Sequence, residues 1–298
     1  MSEEKMVMEE NEMQEPLVHP MDAWLRQDRL PHIWCSGCGI GPAFSTTISA
    51  MKESGYSQDQ FAIVSGIGCS SRAAGYLKID SFHTTHGRAI PYATGLKLAR
   101  PEMKVFLFAG DGDLFSIGGN HFIHAARKNM DLTVICINNF IYGMTGGQFS
   151  PGTPLGAISS TSPYGNEDTP FNFPHLADAA GAVYVARWTT AHVRQLKKSI
   201  VRAFQKKGFS FIEIISPCPT VYGRRNKFPL GIQMMKSLHE TSQINHNAKG
   251  SELDIQIGKP IVIGNFIDRE RETFLERQAS FQERVNKWLK EKKGETGD

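Results

Sequence analysis

Five mostly apolar runs alternate with stretches of helical pattern between residues 61 and 216 of this 298-residue chain. A strand with one solvated face alternates apolar and polar residues, whereas a strand covered on both faces is apolar throughout. The pattern therefore predicts an α/β fold, with a parallel sheet covered by helices on both faces. The predicted strands are FAIVSG (61–66), KVFLFAG (104–110), LTVICIN (132–138), VYVARW (183–188) and FSFIEIIS (209–216). The predicted helices cover residues 41–54, 88–100, 116–129, 173–181 and 191–208.

Composition divides the chain into three parts. Residues 1–30 form an acidic N-terminal tail and lead-in, and residues 31–218 carry the predicted α/β domain. Residues 219–298 are polar and loop-rich, and they end in a charged helical pattern. We expect this last part to be a C-terminal arm that packs on a partner subunit rather than a separate domain.

The overall composition argues against several classes of protein. A net charge of +3 is too small to indicate binding to nucleic acid or to a membrane surface. No apolar run approaches the roughly 20 residues that span a bilayer, and the acidic N-terminus is not expected to be a secretory signal. Five is an odd number of cysteines, and no secretory signal is expected, so we expect thiols rather than disulfides. The expected compartment is therefore a reducing cytoplasm.

Candidate oxygen ligands for a metal follow two of the predicted strands. Gly-Asp-Gly at 110–112 ends one run, and Asn-Asn at 138–139 ends the next. Ligands bind at the carboxyl ends of the strands in parallel sheets. Asp111 can offer a carboxylate, Asn139 an amide oxygen and Ile141 a backbone carbonyl, which suits Mg²⁺ if diphosphate oxygens complete its octahedron.

The spacing of these two motifs is more specific than either motif alone. A lone Gly-Asp-Gly is usually a turn, but here Asn139 follows Asp111 by 28 residues, with a predicted helix and strand between them. This arrangement resembles the signature of thiamine-diphosphate enzymes, in which the cofactor is held through the metal ion. It predicts a thiamine diphosphate site with Mg²⁺.

Four of the five cysteines fall where metal ligands could meet. Cys35 and Cys38 form a Cys-x2-Cys pair before a helix, and Cys69 and Cys218 follow predicted strands. Four thiolates from three segments can hold either zinc or a [4Fe-4S] cluster, and the spacing alone leaves this open while favouring the cluster. Cys136 lies inside an apolar strand, the ordinary position of a core cysteine, and is excluded.

The chain closely resembles the β subunits of 2-oxoacid:ferredoxin oxidoreductases, most of all the two-subunit 2-oxoglutarate type. The resemblance runs from about Asp28 to Pro219 and rests on LPHIWCSGCGIG, GIGCSS, HTTHGRAIPYATGLKLARP, AGDGDLFSIGGNHFIHAARKN and NNFIYGMTGGQFSPGTP. It implies oxidative decarboxylation of a 2-oxoacid with coenzyme A, with electrons passing to ferredoxin. The reverse reductive carboxylation is available to the same chemistry.

The resemblance also implies roles for individual residues. The ligands of one [4Fe-4S] cluster would be Cys35, Cys38, Cys69 and Cys218, and the Mg²⁺ ligands would be Asp111, Asn139 and the Ile141 carbonyl. The residues lining the thiamine diphosphate would be Ile67, Gly68, Cys69, Ser70, His86, Gly112, Asp113, Gly143 and Met144.

Some polar residues carry hypotheses of their own. Arg72 lies three residues after Cys69, where its cation could bind the distal carboxylate of 2-oxoglutarate; a helix-surface arginine is an equally good interpretation. Met144 could pack in the core, or support the cofactor and touch the substrate. His121 and His124 are three residues apart on a predicted helix, where a polar surface is a better interpretation than a metal site.

One required part is missing from this sequence. Thiamine enzymes need a carboxylate from a pyrimidine-binding module, and the chain has length for only one α/β module. We therefore expect an α subunit that supplies the activating Glu and much of the coenzyme A site, in a symmetric α2β2 heterotetramer. Ferredoxin would be the external electron carrier.

Three alternatives remain at this point. The same chemistry could act on pyruvate or another 2-oxoacid. A non-redox thiamine-dependent decarboxylase or synthase could carry zinc on the cysteines. A non-catalytic scaffold could retain the fold, although it would have no chemical need for Asp111, Asn139 and the four cysteines.

Overall fold

The five apolar runs become the central strands of one eight-stranded sheet in the computed structural model, which describes residues 19–292. Nearly every residue of these central strands is buried. In chain order the strands are β1 (Phe61–Ser65), β2 (Asp80–His83), β3 (Lys104–Gly110), β4 (Thr133–Asn138), β5 (Tyr184–Thr189), β6 (Ser210–Ile215), β7 (Ser242–Ile244) and β8 (Ile261–Asp268).

The strands lie in the order β2-β1-β3-β4-β6-β5-β8-β7. The first six are mutually parallel, β8 pairs antiparallel with β5, and β7 pairs parallel with β8. The loops after β1, β3 and β4 therefore leave the sheet at the same edge, next to one another.

Helices cover both faces of the sheet, as predicted. The helices are α1 (Ile40–Glu53), α2 (Ala89–Ala99), α3 (Gly119–Lys128), α4 (Phe173–Ala179), α5 (Val193–Gln205), α6 (Gly231–Thr241) and α7 (Phe274–Lys292). On one face, α1 and α5 pack on Phe106 and Phe108 of β3; on the other, α2, α3 and α4 pack on Leu107. Adjacent side chains of a strand point to opposite faces, so one apolar run supplies both cores.

Three strands were not predicted. β2 is a four-residue edge strand whose residues are all exposed, so it has no apolar run. β7 and β8 lie within residues 219–298, which we had assigned to an arm. In the structure, β8 continues the domain's own sheet by pairing with β5.

The last helix, α7, is less buried than the helices that cover the sheet. No residue of α7 is buried, and its first residue is tied to the domain by the Phe274 amide, which donates to the Asn129 carbonyl at 3.1 Å. Packing of this helix on a partner subunit stays a prediction. Of the predicted tail, residues 1–18 lie outside the described part of the chain. Within residues 19–292, no helix is long and apolar enough to cross a bilayer.

Candidate active site

A cleft opens at the carboxyl ends of β1, β3 and β4. Four loops line it, and they bring together residues far apart in sequence. All nine predicted cofactor contacts and all three predicted Mg²⁺ ligands lie in its wall. The lining consists of Ile67, Gly68, Cys69, Ser70, His86, Gly110, Asp111, Gly112, Asp113, Asn139, Ile141, Tyr142, Gly143, Met144 and Thr145.

Asp111 is a buried carboxyl group at the end of β3, with 1% of its surface exposed. Ser150 Oγ donates to its Oδ2. Burial raises the pKa of Asp111 to about 7, against the hydrogen bonds from Ser150 and the Gly112 amide, which favour the carboxylate. A divalent cation would supply the compensating charge that this site lacks, so the carboxyl group fits the role of Mg²⁺ ligand.

The loop after β4 directs its two asparagines differently. Asn138 Nδ2 donates to Glu213 Oε1 at 2.7 Å inside the core, and its Oδ1 accepts from the Phe140 amide at 3.2 Å. Phe140 has a positive φ of 65°, which turns the chain so that Asn139 and Ile141 line the cleft. The Asn139 side chain has no hydrogen-bond partner within residues 19–292, so its amide oxygen is available to a cation.

Asp113 binds three segments of the cleft to one another. It is 3% exposed and accepts from the Gly87 amide at 2.8 Å and the Ile67 amide at 3.1 Å. His86 Nδ1 lies 3.0 Å from its Oδ1, at an angle unsuited to a hydrogen bond. Burial raises the pKa of Asp113, whereas the two amides lower it. Asp113 is therefore a structural anchor as well as a cleft residue.

The glycines of the motif leave space that no other residue would leave. A Cβ on Gly112 would overlap the Tyr142 ring, and a Cβ on Gly66 would overlap the Asp113 carboxylate. Tyr142 in turn donates its hydroxyl hydrogen to the Gly112 carbonyl at 3.1 Å. Glycine is therefore required at both positions because Tyr142 and Asp113 pack directly against the backbone.

A second cleft adjoins the first and is lined by the four predicted cluster ligands, Cys35, Cys38, Cys69 and Cys218. Cys35 is exposed, Cys38 and Cys69 are half-buried, and Cys218 is buried. Burial, with a smaller effect from the charges of the neighbouring thiols, raises the pKa of Cys38 to about 12 and that of Cys69 to about 11. Such thiols become thiolates readily only next to a cationic group, so the donor set fits a metal centre.

The four cysteines come from three segments of the chain and meet in this one cleft. Such a donor set can hold either a zinc ion or a [4Fe-4S] cluster. Cys136, by contrast, is fully buried in the core, as expected of a non-ligand.

The two clefts share part of their wall. Cys69, Asn139 and Gly143 line both of them. A Cβ on Gly143 would lie 3.5 Å from Cys69 Sγ and 3.8 Å from Cys218 Sγ, so this glycine lies between the sulfurs and the first cleft. A cofactor in the first cleft and a cluster in the second would be direct neighbours.

Arg72 does not line the first cleft. It is exposed on the short helical turn that follows Ser70, and its charge lowers the pKa of His83, after the larger effect of partial burial. His121 and His124 do not line the cleft either, in agreement with a polar helix surface.

Sequence reasoning missed several residues that build the site. Tyr142 supports Gly112, Ser150 donates to Asp111, and the buried Arg187–Glu213 pair, at 2.6 Å, holds Asn138. A charged residue in each of two apolar strands was the available signal for this pair. Neither Tyr142 nor Ser150 had a comparable signal, because both act through contacts between loops.

Comparison with known families and proteins agrees with this geometry. The family "Thiamine pyrophosphate enzyme, C-terminal TPP binding domain" matches residues 66–214. The 2-oxoglutarate synthase subunit KorB of Methanocaldococcus jannaschii is 54% identical over 259 residues, which are 87% of this chain and 96% of that protein. KorB of Archaeoglobus fulgidus is 47% identical over 254 residues, 85% of this chain and 91% of that protein.

A solved structure is also similar along nearly the whole chain. It is the 2-oxoglutarate:ferredoxin oxidoreductase from Magnetococcus marinus with 2-oxoglutarate, coenzyme A and succinyl-CoA bound. The TM-score is 0.80 at 32% identity, covering 92% of this chain and 93% of that one. The predicted fold class is confirmed.

Proposed function

Because the chain belongs to the family of KorB β subunits of 2-oxoacid:ferredoxin oxidoreductases, we propose that it is the catalytic β subunit of a 2-oxoglutarate:ferredoxin oxidoreductase. The reaction converts 2-oxoglutarate and coenzyme A to succinyl-CoA, carbon dioxide and a proton. Two electrons leave, one to each of two ferredoxins. The names of the relatives favour this substrate over pyruvate, and the redox reaction over a zinc-containing decarboxylase.

The first cleft is the site of thiamine diphosphate and Mg²⁺. When bound, thiamine diphosphate supplies the nucleophile and electron sink for decarboxylating a 2-oxoacid. Asp111, Asn139 and the Ile141 carbonyl hold the metal ion, and the backbone beside Gly112 lies against the diphosphate. Asp113 holds the loops of the cleft together, and Met144, which is 46% exposed, is placed to contact substrate or cofactor.

The second cleft is the site of one [4Fe-4S] cluster held by Cys35, Cys38, Cys69 and Cys218. The observation that carries the redox proposal is the wall that the two clefts share, because a cluster there accepts electrons directly beside the site of decarboxylation. Iron ligation at these four positions would also compensate the charge of the thiolates, which burial disfavours.

The cofactor content tests this proposal. The chain is purified without oxygen, together with any subunit that co-purifies, and iron, sulfide, zinc and thiamine diphosphate are measured. We expect about four irons and one thiamine diphosphate per chain, with an EPR signal after reduction. Cys218→Ser should lose most of the iron, whereas Cys136→Ser should keep it. Zinc in place of iron would reject the redox function.

The active site is completed by an α subunit. The pyrimidine-binding carboxylate and much of the coenzyme A site have no counterpart among the residues that line the two clefts. The name "subunit" of the curated relatives supports a second chain. An α2β2 heterotetramer is the symmetric assembly that we propose.

Arg72 is proposed to select the substrate. Its guanidinium, exposed beside the cleft residues Cys69 and Ser70, would bind the distal carboxylate of 2-oxoglutarate in the assembled enzyme. Arg72→Leu should lower kcat/KM for 2-oxoglutarate by roughly tenfold or more relative to pyruvate. Arg88→Leu is a control at another exposed arginine. An unchanged preference between the two substrates would reject the role of Arg72.

A further inference from the structure

One of the four cysteines reaches the surface, and its surroundings form a continuous patch. Cys35 is exposed, as are all its neighbours in residues 29–37 except Trp34. This segment contacts the start of α6: a Cβ on Gly37 would lie 3.1 Å from the Gly231 Cα. Residues 29–37 and 224–232 together are named here the carrier face.

The carrier face exposes large apolar side chains. Ile232 is 74% exposed, Ile33 56%, Leu230 54%, and Leu30 and Phe228 41% each. Single exposed apolar residues are common on protein surfaces, but a contiguous group is typical of an interaction site. These five side chains lie in the two segments that meet next to Cys35.

The charge of the carrier face is of one sign. Arg29, Arg224, Arg225 and Lys227 lie within it, and neither segment contains Asp or Glu, although Arg29 lies 3.9 Å from the adjacent Asp28. Arg224 and Lys227 are exposed and take part in no ion pair with another described residue. Arg225 is directed inward, with its guanidinium donating to the Gly146 carbonyl at 3.3 Å. A patch with this charge attracts an acidic partner.

The carrier face lies where the second cleft is nearest to solvent. Cys35 is the exposed cysteine of the second cleft, and Cys69, on the opposite side, also lines the first. Electrons that enter the cluster beside the first cleft would therefore be nearest to solvent at Cys35. Small interfaces with an apolar centre and charged surroundings are typical of transient electron-transfer complexes.

We propose that the carrier face is the docking surface for an acidic, one-electron carrier protein of the ferredoxin type. This inference rests on the proposed function. Ile33 and Ile232 form the apolar contact next to Cys35, while Arg224 and Lys227 attract the carrier electrostatically. Each docking event moves one electron from the reduced cluster to one oxidised carrier, so each turnover needs two.

The test uses the complete α/β enzyme and an acidic ferredoxin with a single [4Fe-4S] cluster. The variant Arg224→Glu/Lys227→Glu should raise the KM for ferredoxin by about tenfold and flatten its salt dependence. Reduction of methyl viologen, which needs no docking surface, should stay within about twofold of wild type. Ile232→Ser should also raise the KM for ferredoxin, without changing the salt dependence.

The matched control reverses two charges at the opposite edge of the sheet. Lys78 and Arg100 are exposed and precede β2 and β3 at their amino ends. Lys78→Glu/Arg100→Glu should leave the KM for ferredoxin unchanged.

Four outcomes would overturn the inference. An unchanged KM for ferredoxin in Arg224→Glu/Lys227→Glu rejects it. Loss of the α subunit on purification assigns the face to the α subunit, and a change in the number of β subunits assigns it to a second copy of this chain. If the wild-type enzyme fails to reduce viologen with 2-oxoglutarate, the proposed function itself fails, and the inference with it.

Discussion

At the scale of single residues, Asp111 and Asp113 show how neighbouring carboxyl groups take different tasks. Both are buried, and burial raises the pKa of each. Asp113 Oδ1 accepts from two backbone amides of other loops and so joins these loops, while its buried Oδ2 has no hydrogen-bond partner among the described residues. Asp111 accepts one side-chain hydrogen bond, from Ser150, and retains capacity for a cation. The sequence predicted Asp111 as a metal ligand and Asp113 as a lining residue, but not the bonds that Asp113 makes to two other loops, because those loops are distant in sequence.

A substitution at Gly112 tests the close approach of the backbone. Gly112→Ala places a methyl group in the Tyr142 ring and should lower the free energy of unfolding by about 1–3 kcal/mol. Binding of thiamine diphosphate with Mg²⁺ should weaken as well. Thermal unfolding and calorimetric titration measure the two effects.

Gly119→Ala is the matched control. A Cβ at Gly119 would contact nothing within 4 Å, and alanine suits its position in α3. This variant should be at least as stable as wild type. If Gly112→Ala and Gly119→Ala unfold at the same temperature, the contact with Tyr142 does not constrain the loop.

At the scale of elements, β5 and β6 hold the loop after β4 in place. Arg187 and Glu213 lie side by side on adjacent strands, 1% and 0% exposed, and Glu213 accepts from Asn138. Arg187 also donates to the Leu253 carbonyl at 2.8 Å, which ties in the segment before β8. Charges in such strands are tolerated only because they are paired.

Substitutions of Arg187 and Glu213 can separate their effect on stability from their effect on the position of Asn138. Glu213→Gln leaves Arg187 buried without a counter-charge, and should cost about 3–5 kcal/mol of unfolding free energy. Adding Arg187→Met should recover most of that loss, and the introduced glutamine side chain would still accept from Asn138. The double variant Glu213→Leu/Arg187→Met should be about 1–3 kcal/mol less stable than Glu213→Gln/Arg187→Met, because the buried Asn138 amide loses its acceptor, and its Mg²⁺-dependent cofactor binding should weaken about tenfold. Equal binding by the two double variants would exclude a positioning role.

The contact between α5 and α6 predicts a dependence of stability on pH. His192 stacks on His239 at 6.0 Å between ring centres, and its Nδ1 lies 2.8 Å from Thr189 Oγ1. Burial, and secondarily the charge of His239, lowers the pKa of His192 from its usual 6.5. A lowered folded-state pKa contributes stability that is present above about pH 6.5 and is lost as the pH falls through the folded-state value.

The melting temperature should therefore fall as the pH is lowered from about 7 to about 5. His239→Gln removes the charge that, after the larger effect of burial, lowers the pKa of His192, and should make the decrease in melting temperature smaller. His175→Gln, at an exposed histidine of α4, should leave the fall unchanged. If the melting temperature of His239→Gln depends on pH as that of the wild type does, the stacked pair does not contribute to the pH dependence of stability.

At the scale of the whole molecule, the chain presents an open cleft and an exposed C-terminal helix. The cofactor cleft opens along the carboxyl edge of the sheet, where another subunit can close it. The last helix, α7, buries none of its residues against the rest of the chain. Both features fit a subunit that works only in an assembly.

The proposed assembly predicts that activity depends on the α subunit. The chain alone should retain its iron but should not reduce viologen with 2-oxoglutarate and coenzyme A, if the α subunit supplies the activating carboxylate as proposed. Adding the α subunit should restore activity at a one-to-one ratio, and sedimentation should give the mass of α2β2. Activity of the chain alone at more than a few per cent of the complex would contradict the need for an α subunit.

The sequence by itself determined the central sheet, the helices on its two faces and the positions of the metal-type motifs. These features depend on local periodicity and on strand ends, which are properties of short segments. It also determined which loops would meet, because parallel strands end at one edge. The placements of Asp111, Asn139 and the four cysteines were therefore predictable.

Only the tertiary structure decided how the clefts are built. Gly143 and Asn139 lie between them, Glu213 holds Asn138 from a strand 75 residues away, and β8 joins the sheet rather than an arm. These contacts depend on which side chains meet across loops and strands distant in sequence. These contacts are stabilised by burial and by pairing between residues that are distant in sequence. A pattern within one short segment therefore does not predict them.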